Sequence, residues 1–382
     1  MARSRPVTQR SLWDDERPVE NPDYVANQLI TYIGNKRSLV PHIDAAIAKV
    51  KDRLGKARLR CMDVFSGSGV VSRLFKRHAS TLICNDLEDY ASVVSRCYLA
   101  NRGSVDSDRL RDIVADLNGR VDRADLPQGF IEEMYAPRNE KRIAVHDRVF
   151  YTRANARRID NYRRLIDEAP AEFRDLLLGP LLSEASVHAN TAGVFKGFYK
   201  DKTTKIGRYG GSNADALVRI MGAIELAMPV LSDHECECIV MQEDANAAVR
   251  SVEGLDLAYI DPPYNQHPYG SNYFMLNLIV HYRRPAEVSD VSGIPVDWRR
   301  SGYNVRARSA ELLEDLFRHT DARFLLVSFN DEGFVCPAEM RSLLEAEGRV
   351  EVIEIPYNAF RGSRSFENRP IHVTERLFLV ER

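Results

Sequence analysis

Seven short apolar runs recur along the chain, and they set the strongest limit on what it can fold into. They cover residues 59–65, 82–84, 238–241, 255–260, 324–329, 350–355 and 377–380. Runs of this length are typical of buried strands, and patterns with a helical period separate several of them, as at 70–76 and 309–319. This alternation predicts a wound α/β sheet.

The alternation breaks between residues 101 and 235. This stretch has helix-like segments, followed by residues rich in glycine and lysine. One helix-like segment carries Arg153, Arg157, Arg158, Arg163 and Arg164. Because 382 residues exceed the ~150 of a typical domain, we expect an insertion or second domain at 101–235, inside a discontinuous domain formed by 26–100 and 236–382. Residues 1–25 read as a polar N-terminal tail.

A rigid acidic turn, Asp261-Pro262-Pro263-Tyr264, directly follows the apolar run 255–260. Proline fixes φ and lacks an N–H, so the Pro262 carbonyl is expected to point outward without a partner in the sheet. A planar amino group can donate one hydrogen to Asp261 and the other to this carbonyl, while Tyr264 offers a ring for stacking. The turn therefore suits the exocyclic amino group of a nucleobase, although Asp and Pro also populate ordinary turns.

A second motif lies upstream, where Asp63-Val64-Phe65-Ser66-Gly67-Ser68-Gly69 joins a predicted strand to a predicted helix. Glycines there allow a ligand to approach the backbone, and Asp86 follows at the distance where an acidic side chain holds a ribose. The segment has neither the lysine of a phosphate-binding loop nor the full dinucleotide pattern. It predicts an adenosine cofactor without pyrophosphate, a description that S-adenosylmethionine fits.

With these motifs the sequence resembles the amino-methyltransferases of DNA, in particular the alpha group of adenine methylases of the Dam and FokI modification type. The likeness rests on the segment 32–36 (YIGNK), on 63–69, Asp86, Asp244-Ala245 and 261–264, in that order. It implies a Rossmann-like methyltransferase fold with a mostly parallel seven-stranded sheet. It also implies a mainly helical target-recognition domain at 101–235.

The resemblance assigns roles to individual residues. Asp261, Pro262, Pro263 and Tyr264 become the catalytic turn that holds the target amine, and Lys36 is expected to pair with the cofactor's carboxylate. Asp86 is assigned to the ribose and Asp244 to the cofactor's adenine, with helix capping as the competing role for both. The cofactor-binding set is Tyr32, Gly34, Lys36, Asp63, Phe65, Gly67, Gly69, Asp86, Asp244 and Ala245.

The DNA-contacting surface is expected to be local, because the formal net charge is −2 and excludes a uniformly basic coat. A basic, aromatic and glycine-containing stretch suits contact with phosphates. Its candidate residues are Lys196, Tyr199, Lys200, Lys202, Lys205 and Arg208. Further arginines, at 299, 300, 306, 308, 361 and 364, are candidates to extend this surface, although a solvated charged face explains each equally well.

Other features place the chain among cytoplasmic proteins. The N-terminal stretch lacks an apolar leader, and no run approaches the ~20 apolar residues of a membrane span. The six cysteines are scattered, which favours reduced thiols, and Cys236 and Cys238 lack the companions of a zinc site, so no metal is expected.

The sequence analysis thus predicts methylation of adenine in double-stranded DNA with S-adenosylmethionine, by base flipping, in restriction-modification or self-marking. A cognate restriction endonuclease is a possible partner, and the oligomeric state and recognition sequence stay open. Two alternatives remain: methylation of the cytosine amino group, for which Ser is more usual in place of Asp261, and a catalytically silent DNA-binding specificity subunit.

Overall fold

The computed structural model describes residues 19–123, 125–211, 216–358 and 372–382. Within these ranges the chain forms one seven-stranded sheet. Its strands are β1 (Leu59–Asp63), β2 (Ala79–Asn85), β3 (Glu237–Met241), β4 (Leu255–Ile260), β5 (Ala322–Asn330), β6 (Arg349–Asn358) and β7 (His372–Glu381). Each predicted run lies in or overlaps one of these strands, so the predicted sheet is confirmed.

Helices alternate with the first five strands and also fill the region between β2 and β3. In the described part they are α1 (Asp23–Ala26), α2 (Val40–Leu54), α3 (Val70–Lys76), α4 (Asp89–Tyr98), α5 (Ser107–Val121), α6 (Phe130–Tyr135), α7 (Arg153–Glu168), α8 (Arg174–Val187), α9 (Leu217–Met221), α10 (Ala245–Arg250), α11 (Tyr269–Asn272), α12 (Phe274–His281), α13 (Arg306–His319) and α14 (Pro337–Glu345). None of these described helices has the length and apolar character needed to cross a bilayer.

The strand order β3-β2-β1-β4-β5-β7-β6 places β1 and β4 side by side at the centre. Strands β1 to β5 are parallel, whereas β7 runs antiparallel to β5 and β6. The chain moves outward from β1 to β3 and then returns to start the other half at β4. This reversal opens a crevice at the carboxyl ends of β1 and β4, where wound α/β folds bind their ligands.

The sheet is covered on both faces, which explains why its central strands are apolar without alternation. Along β4, Leu257 and Tyr259 point into the core that includes α2 and α3. Ala258 and Ile260 point into the opposite core, with α10, α13 and α14. Every residue of β4 is buried.

Residues 101–235 are helical in their described part and contain no named strand there. Their apolar side chains share one core with α4 and α12, including Leu110, Ile159, Leu181, Tyr90 and Ile279. The arginines of α7 hold this region together, as when Arg153 and Arg157 both pair with the buried Glu132. The predicted boundaries of the target-recognition domain stay a prediction.

The start of the described chain is anchored to the sheet domain. Tyr24, within the predicted tail 1–25, is fully buried, and its Oη donates to the carbonyl of Tyr98 over 2.7 Å. The buried Arg73 donates to the carbonyl of Tyr24 over 2.9 Å and lies 3.7 Å from the Tyr98 ring centroid. Residues 1–18 of that tail, like Arg361 and Arg364, lie outside the described residues.

Candidate active site

The glycine turn and the acidic turn meet in the crevice between β1 and β4. Asp63, the last residue of β1, is in register with Tyr259 of β4, so Asp261 emerges at the same edge of the sheet. Two adjoining cavities of about 710 and 300 Å³ occupy this edge, and both volumes include space open to solvent. Five residues line both: Tyr32, Gly34, Phe65, Gly67 and Asp261.

The cavities bring together most of the predicted site residues. The larger one is also lined by Asp86, Asp244, Ala245 and Pro263, and the smaller one by Lys36 and Asp63. Gly69, Pro262 and Tyr264 are not part of either lining. The structure therefore places eleven of the fourteen predicted catalytic and cofactor residues around these two adjoining cavities.

The glycine turn needs its glycines for two reasons. Gly67 and Gly69 have φ values of +48° and +77°, which disfavour residues with a Cβ. A Cβ at Gly67 would also lie 3.0 Å from Cε1 of Tyr32. The Tyr32 ring in turn stacks on Tyr269 and Tyr273, with centroids 5.0 and 4.6 Å away. The segment 32–36 is thereby held against the turn.

A charge triad adjoins the smaller cavity, formed by the buried Lys36 and Glu375 and the half-buried Asp261. Nζ of Lys36 lies 3.1 Å from Oδ1 of Asp261 and 3.0 Å from Oε1 of Glu375. Burial lowers the pKa of Lys36, but the two carboxylates raise this pKa by more than burial lowers it. The pKa of Lys36 is therefore well above its usual value. Burial raises the pKa of Asp261 to about 6 against the opposing effect of Lys36. The predicted pairing of Lys36 with the cofactor's carboxylate remains a prediction, and these two protein carboxylates are its partners in the structure.

The turn after Asp261 is fixed by contacts on both sides of Tyr264. Its carbonyl accepts from the amide of Phe334 over 2.8 Å, and its Oη accepts from Nδ2 of Asn330 over 2.8 Å. Phe329 packs on the Tyr264 ring in a T-shaped arrangement at 5.6 Å. Burial raises the pKa of Tyr264 to about 12, so its hydroxyl stays protonated near neutral pH.

Asp63 carries a buried oxygen that finds no hydrogen-bond partner among the described residues. Oδ2 accepts from the hydroxyl of Ser72 over 2.5 Å, whereas Oδ1 is not hydrogen-bonded within the part of the chain that the structure describes. Burial raises the pKa of Asp63 to about 7, and its bond from Ser72 opposes this. Buried polar atoms are normally satisfied, so an unpaired acceptor in the lining of a cavity indicates a place for a donor from a ligand.

Asp86 and Asp244 differ in how far helix capping explains them. Asp86 accepts from the amides of Gly67 and Glu88 over 2.7 and 2.9 Å, but the residue that precedes α4 is Glu88. Asp244 does cap α10 through the amide of Asn246 at 3.0 Å. Since both also line the larger cavity, capping by Asp244 is compatible with a contact to a ligand.

Sequence reasoning missed a strap, residues 298–304, that covers the larger cavity between α12 and α13. Its Arg299 donates to the carbonyl of Leu87 over 2.6 Å and pairs with Asp89 at 3.2 Å. Its Asn304 donates to the carbonyl of Asn265 over 2.7 Å, just beyond the acidic turn. Arg299 lines this cavity, and its contact with DNA stays a prediction. No local pattern indicates the position of the strap, because its contacts depend on chain packing.

The predicted DNA-contacting residues lie on a loop between α8 and α9. Lys196, Lys202, Lys205 and Arg208 are exposed, and an isolated bridge between Lys200 and Gly207 closes the loop. The half-buried Lys200 places its Nζ 4.7 Å from the centroid of Phe198. None of the six predicted residues lines either cavity. Their contact with DNA stays a prediction.

The chain is similar to curated methyltransferases along most of its length. It is 27% identical over 368 residues to the type II methyltransferase M.NlaIII of Neisseria lactamica, covering 91% of this chain and 100% of that protein. It is 28% identical over 361 residues to the type II methyltransferase M.CviAII of Paramecium bursaria Chlorella virus 1, covering 92% and 98%. M.FokI, the type II methyltransferase of Planomicrobium okeanokoites, is 25% identical over 92% of this chain, but the match spans 52% of that protein. A family model described as D12 class N6 adenine-specific DNA methyltransferase matches residues 32–288.

Proposed function

The chain belongs to the family of D12 class N6 adenine-specific DNA methyltransferases, and we propose that it transfers a methyl group from S-adenosylmethionine to the exocyclic amino group of adenine in duplex DNA. The observation that carries this proposal is the shared cavity of the glycine turn and Asp261. Donor and acceptor sites must adjoin for a direct transfer, because the reacting atoms have to come within about 3–3.5 Å.

The residues around the cavities fit S-adenosylmethionine. The Oδ1 of Asp63, which has no partner among the described residues, suits the ammonium group of its methionine part, and Gly67 contributes to the lining of both cavities. Asp86 is assigned to the ribose and Asp244 to the adenine, and both line the larger cavity. When bound, S-adenosylmethionine supplies an electrophilic methyl group on a sulfonium.

The acidic turn is proposed to orient the target nitrogen. Asp261 and the carbonyl of Pro262 accept the two amine hydrogens, which favours a tetrahedral nitrogen with an available lone pair. Pro263 shapes the turn, and Tyr264 offers its ring to the base. After methyl transfer, the positively charged nitrogen sheds one proton. Positioning supplies much of the rate, because nitrogen, methyl and sulfur must lie in line.

Adenine reaches this site only after leaving the duplex. Extrusion costs a few kcal/mol, and stacking on an aromatic ring such as Tyr264 returns about 1–3 kcal/mol. The exposed residues of the loop 196–208 are proposed to contact phosphates, with 101–235 as the target-recognition domain. Charge contacts of this kind position the duplex but do not read its sequence.

The named relatives support a role in site-specific modification. M.NlaIII and M.CviAII are both type II methyltransferases that match nearly full-length. We therefore propose that this chain marks one DNA sequence, in restriction-modification or self-marking, with a cognate endonuclease as a possible partner. We also propose a cytoplasmic location, because the DNA to be marked is in the cytoplasm.

The test is methyl transfer by the purified chain. Unmodified genomic DNA is incubated with S-adenosylmethionine carrying a deuterated methyl group, and the nucleosides are analysed by mass spectrometry. We expect deuterated N6-methyladenine. Deuterated methylcytosine without methyladenine would show that the methyl acceptor is cytosine and not adenine. Absence of any labelled base, together with no binding of S-adenosylmethionine in calorimetry, would leave the silent specificity subunit as the explanation.

A further inference from the structure

Glu375 is a buried carboxylate at the candidate site that neither the sequence motifs nor the family match identifies. It lies on β7, beyond the matched residues 32–288, and is 2% exposed. Its Oε1 lies 3.0 Å from Nζ of Lys36 and accepts from the hydroxyl of Ser328 over 2.9 Å. Both Lys36 and Glu375 are therefore removed from water and fixed in place.

Lys36 stands between two carboxylates that compete for one ammonium. Its Nζ is almost equidistant from Asp261 and Glu375, at 3.1 and 3.0 Å. A charge pair interacts far more strongly in a buried site than in water. The attraction of Lys36 to Glu375 therefore weakens its interaction with Asp261. Asp261 is the residue proposed to accept the hydrogens of the target amine.

We propose that Glu375 is a positioning residue that holds Lys36 midway between two carboxylates and so keeps Asp261 a strong hydrogen-bond acceptor for the target amine. This inference rests on the proposed function of Asp261. Lys36 alone would neutralise Asp261 and weaken its attraction for the amine hydrogens. With Glu375 present, the triad keeps one net negative charge for the substrate.

Other titratable side chains face Asp261 from the surrounding elements, and a substitution at Glu375 does not alter their identity. They are Asp63 on β1, Tyr259 on β4, Tyr264 after the acidic turn and Tyr269 on α11. Glu375 itself raises the pKa of Asp261, in the same direction as burial, while Lys36 lowers it. Removing the charge of Glu375 is therefore expected to lower the pKa of Asp261.

The experiment compares the pH dependence of single-turnover methyl transfer in the wild type and in Glu375→Gln. Glutamine keeps an oxygen for Lys36 and Ser328 but loses the charge. We expect the acidic limb of the rate profile to move to lower pH by at least about half a unit. The plateau rate should fall about three- to tenfold, because a less basic carboxylate holds the amine less strongly.

The control is Glu354→Gln on β6, which removes a carboxylate from the same hairpin, where Glu354 pairs with Arg376. It should leave both limb and plateau unchanged. Thermal melting shows whether each variant folds. If Glu375→Gln does not fold, Glu375→Asp replaces it, because the shorter side chain moves the carboxylate away from Lys36 by one methylene. A folded variant with the wild-type limb would overturn the inference, including one whose rate falls equally at every pH. A wild type that transfers no methyl group would instead overturn the proposed function.

Discussion

The ring of Tyr32 covers the backbone of Gly67, so closely that a Cβ added at Gly67 would lie 3.0 Å from its Cε1 atom. The Tyr32 ring cannot easily move away from Gly67, because Tyr269 and Tyr273 stack against it. The contact joins the segment 32–36 to the glycine turn. It also makes Gly67 a position at which a small substitution should disturb the proposed cofactor site.

Gly67→Ala should weaken binding of S-adenosylmethionine at least about tenfold, and the strained φ should cost on the order of 1–3 kcal/mol of stability. Calorimetry and denaturant unfolding measure the two effects. The matched control is Gly55→Ala, where φ is +63° but no atom lies within 4 Å of the added Cβ. The control should lose stability and keep its affinity. Equal affinities in both variants would contradict the assignment of the turn.

Asp261→Ala and Tyr264→Ala should each lower the single-turnover rate by at least about a hundredfold, the size found when an oriented polar group is removed from an active site. Duplex affinity should stay close to that of the wild type, because neither residue lies on the basic loop. Rates come from rapid-quench assays and affinities from fluorescence anisotropy. Asp256→Asn is the control, since Asp256 lies on β4 and pairs with Lys56 away from the cavity. Full activity in either site variant would refute the role of the turn.

The protonation of Asp63 should be visible in the stability of the protein. Its pKa is raised to about 7 when folded, so its contribution is present at acidic pH and is lost as the pH rises toward and through 7. From about pH 5 to 8, the unfolding free energy of the wild type should fall relative to that of Asp63→Asn by on the order of 1–2 kcal/mol. Urea titrations at several pH values measure this. Parallel curves would contradict the raised pKa of Asp63.

Arg299→Met should weaken binding of S-adenosylmethionine about five- to tenfold and leave DNA affinity unchanged, because it removes the contacts to Leu87 and Asp89 at the cavity rim. The comparison variant is Lys202→Ala, on the exposed loop. It should show the opposite result, with a lower DNA affinity and a slope against salt that is reduced by about one. If Arg299→Met lowers DNA affinity and leaves the affinity for S-adenosylmethionine unchanged, Arg299 contacts DNA and does not support the cofactor site.

Short-range features of the sequence were enough to predict the sheet. The run 255–260 has the same bounds as β4, and 70–76 has the same bounds as α3, because strong local patterns and turn residues agree there with the final packing. Parallel strands place their carboxyl ends at one edge of the sheet. The approach of residues 63–69 to 261–264 therefore follows from topology.

The contacts of Lys36 and Arg299 could not be predicted in the same way. Lys36 meets Glu375 only because β7 enters the sheet antiparallel between β5 and β6, in a register that pairs Asn330 with Glu375. Arg299 reaches Asp89 through a strap with no periodic pattern. Both contacts join residues far apart in the chain, and their partners depend on packing that no local propensity encodes.

Because Glu375 lies on β7, the three-residue charge cluster can form only after β7 has paired with β5. A folding intermediate that already displays the glycine turn and the acidic turn still lacks this charge as long as the place between β5 and β6 is empty. Maturation of the site is thus tied to the docking of β7.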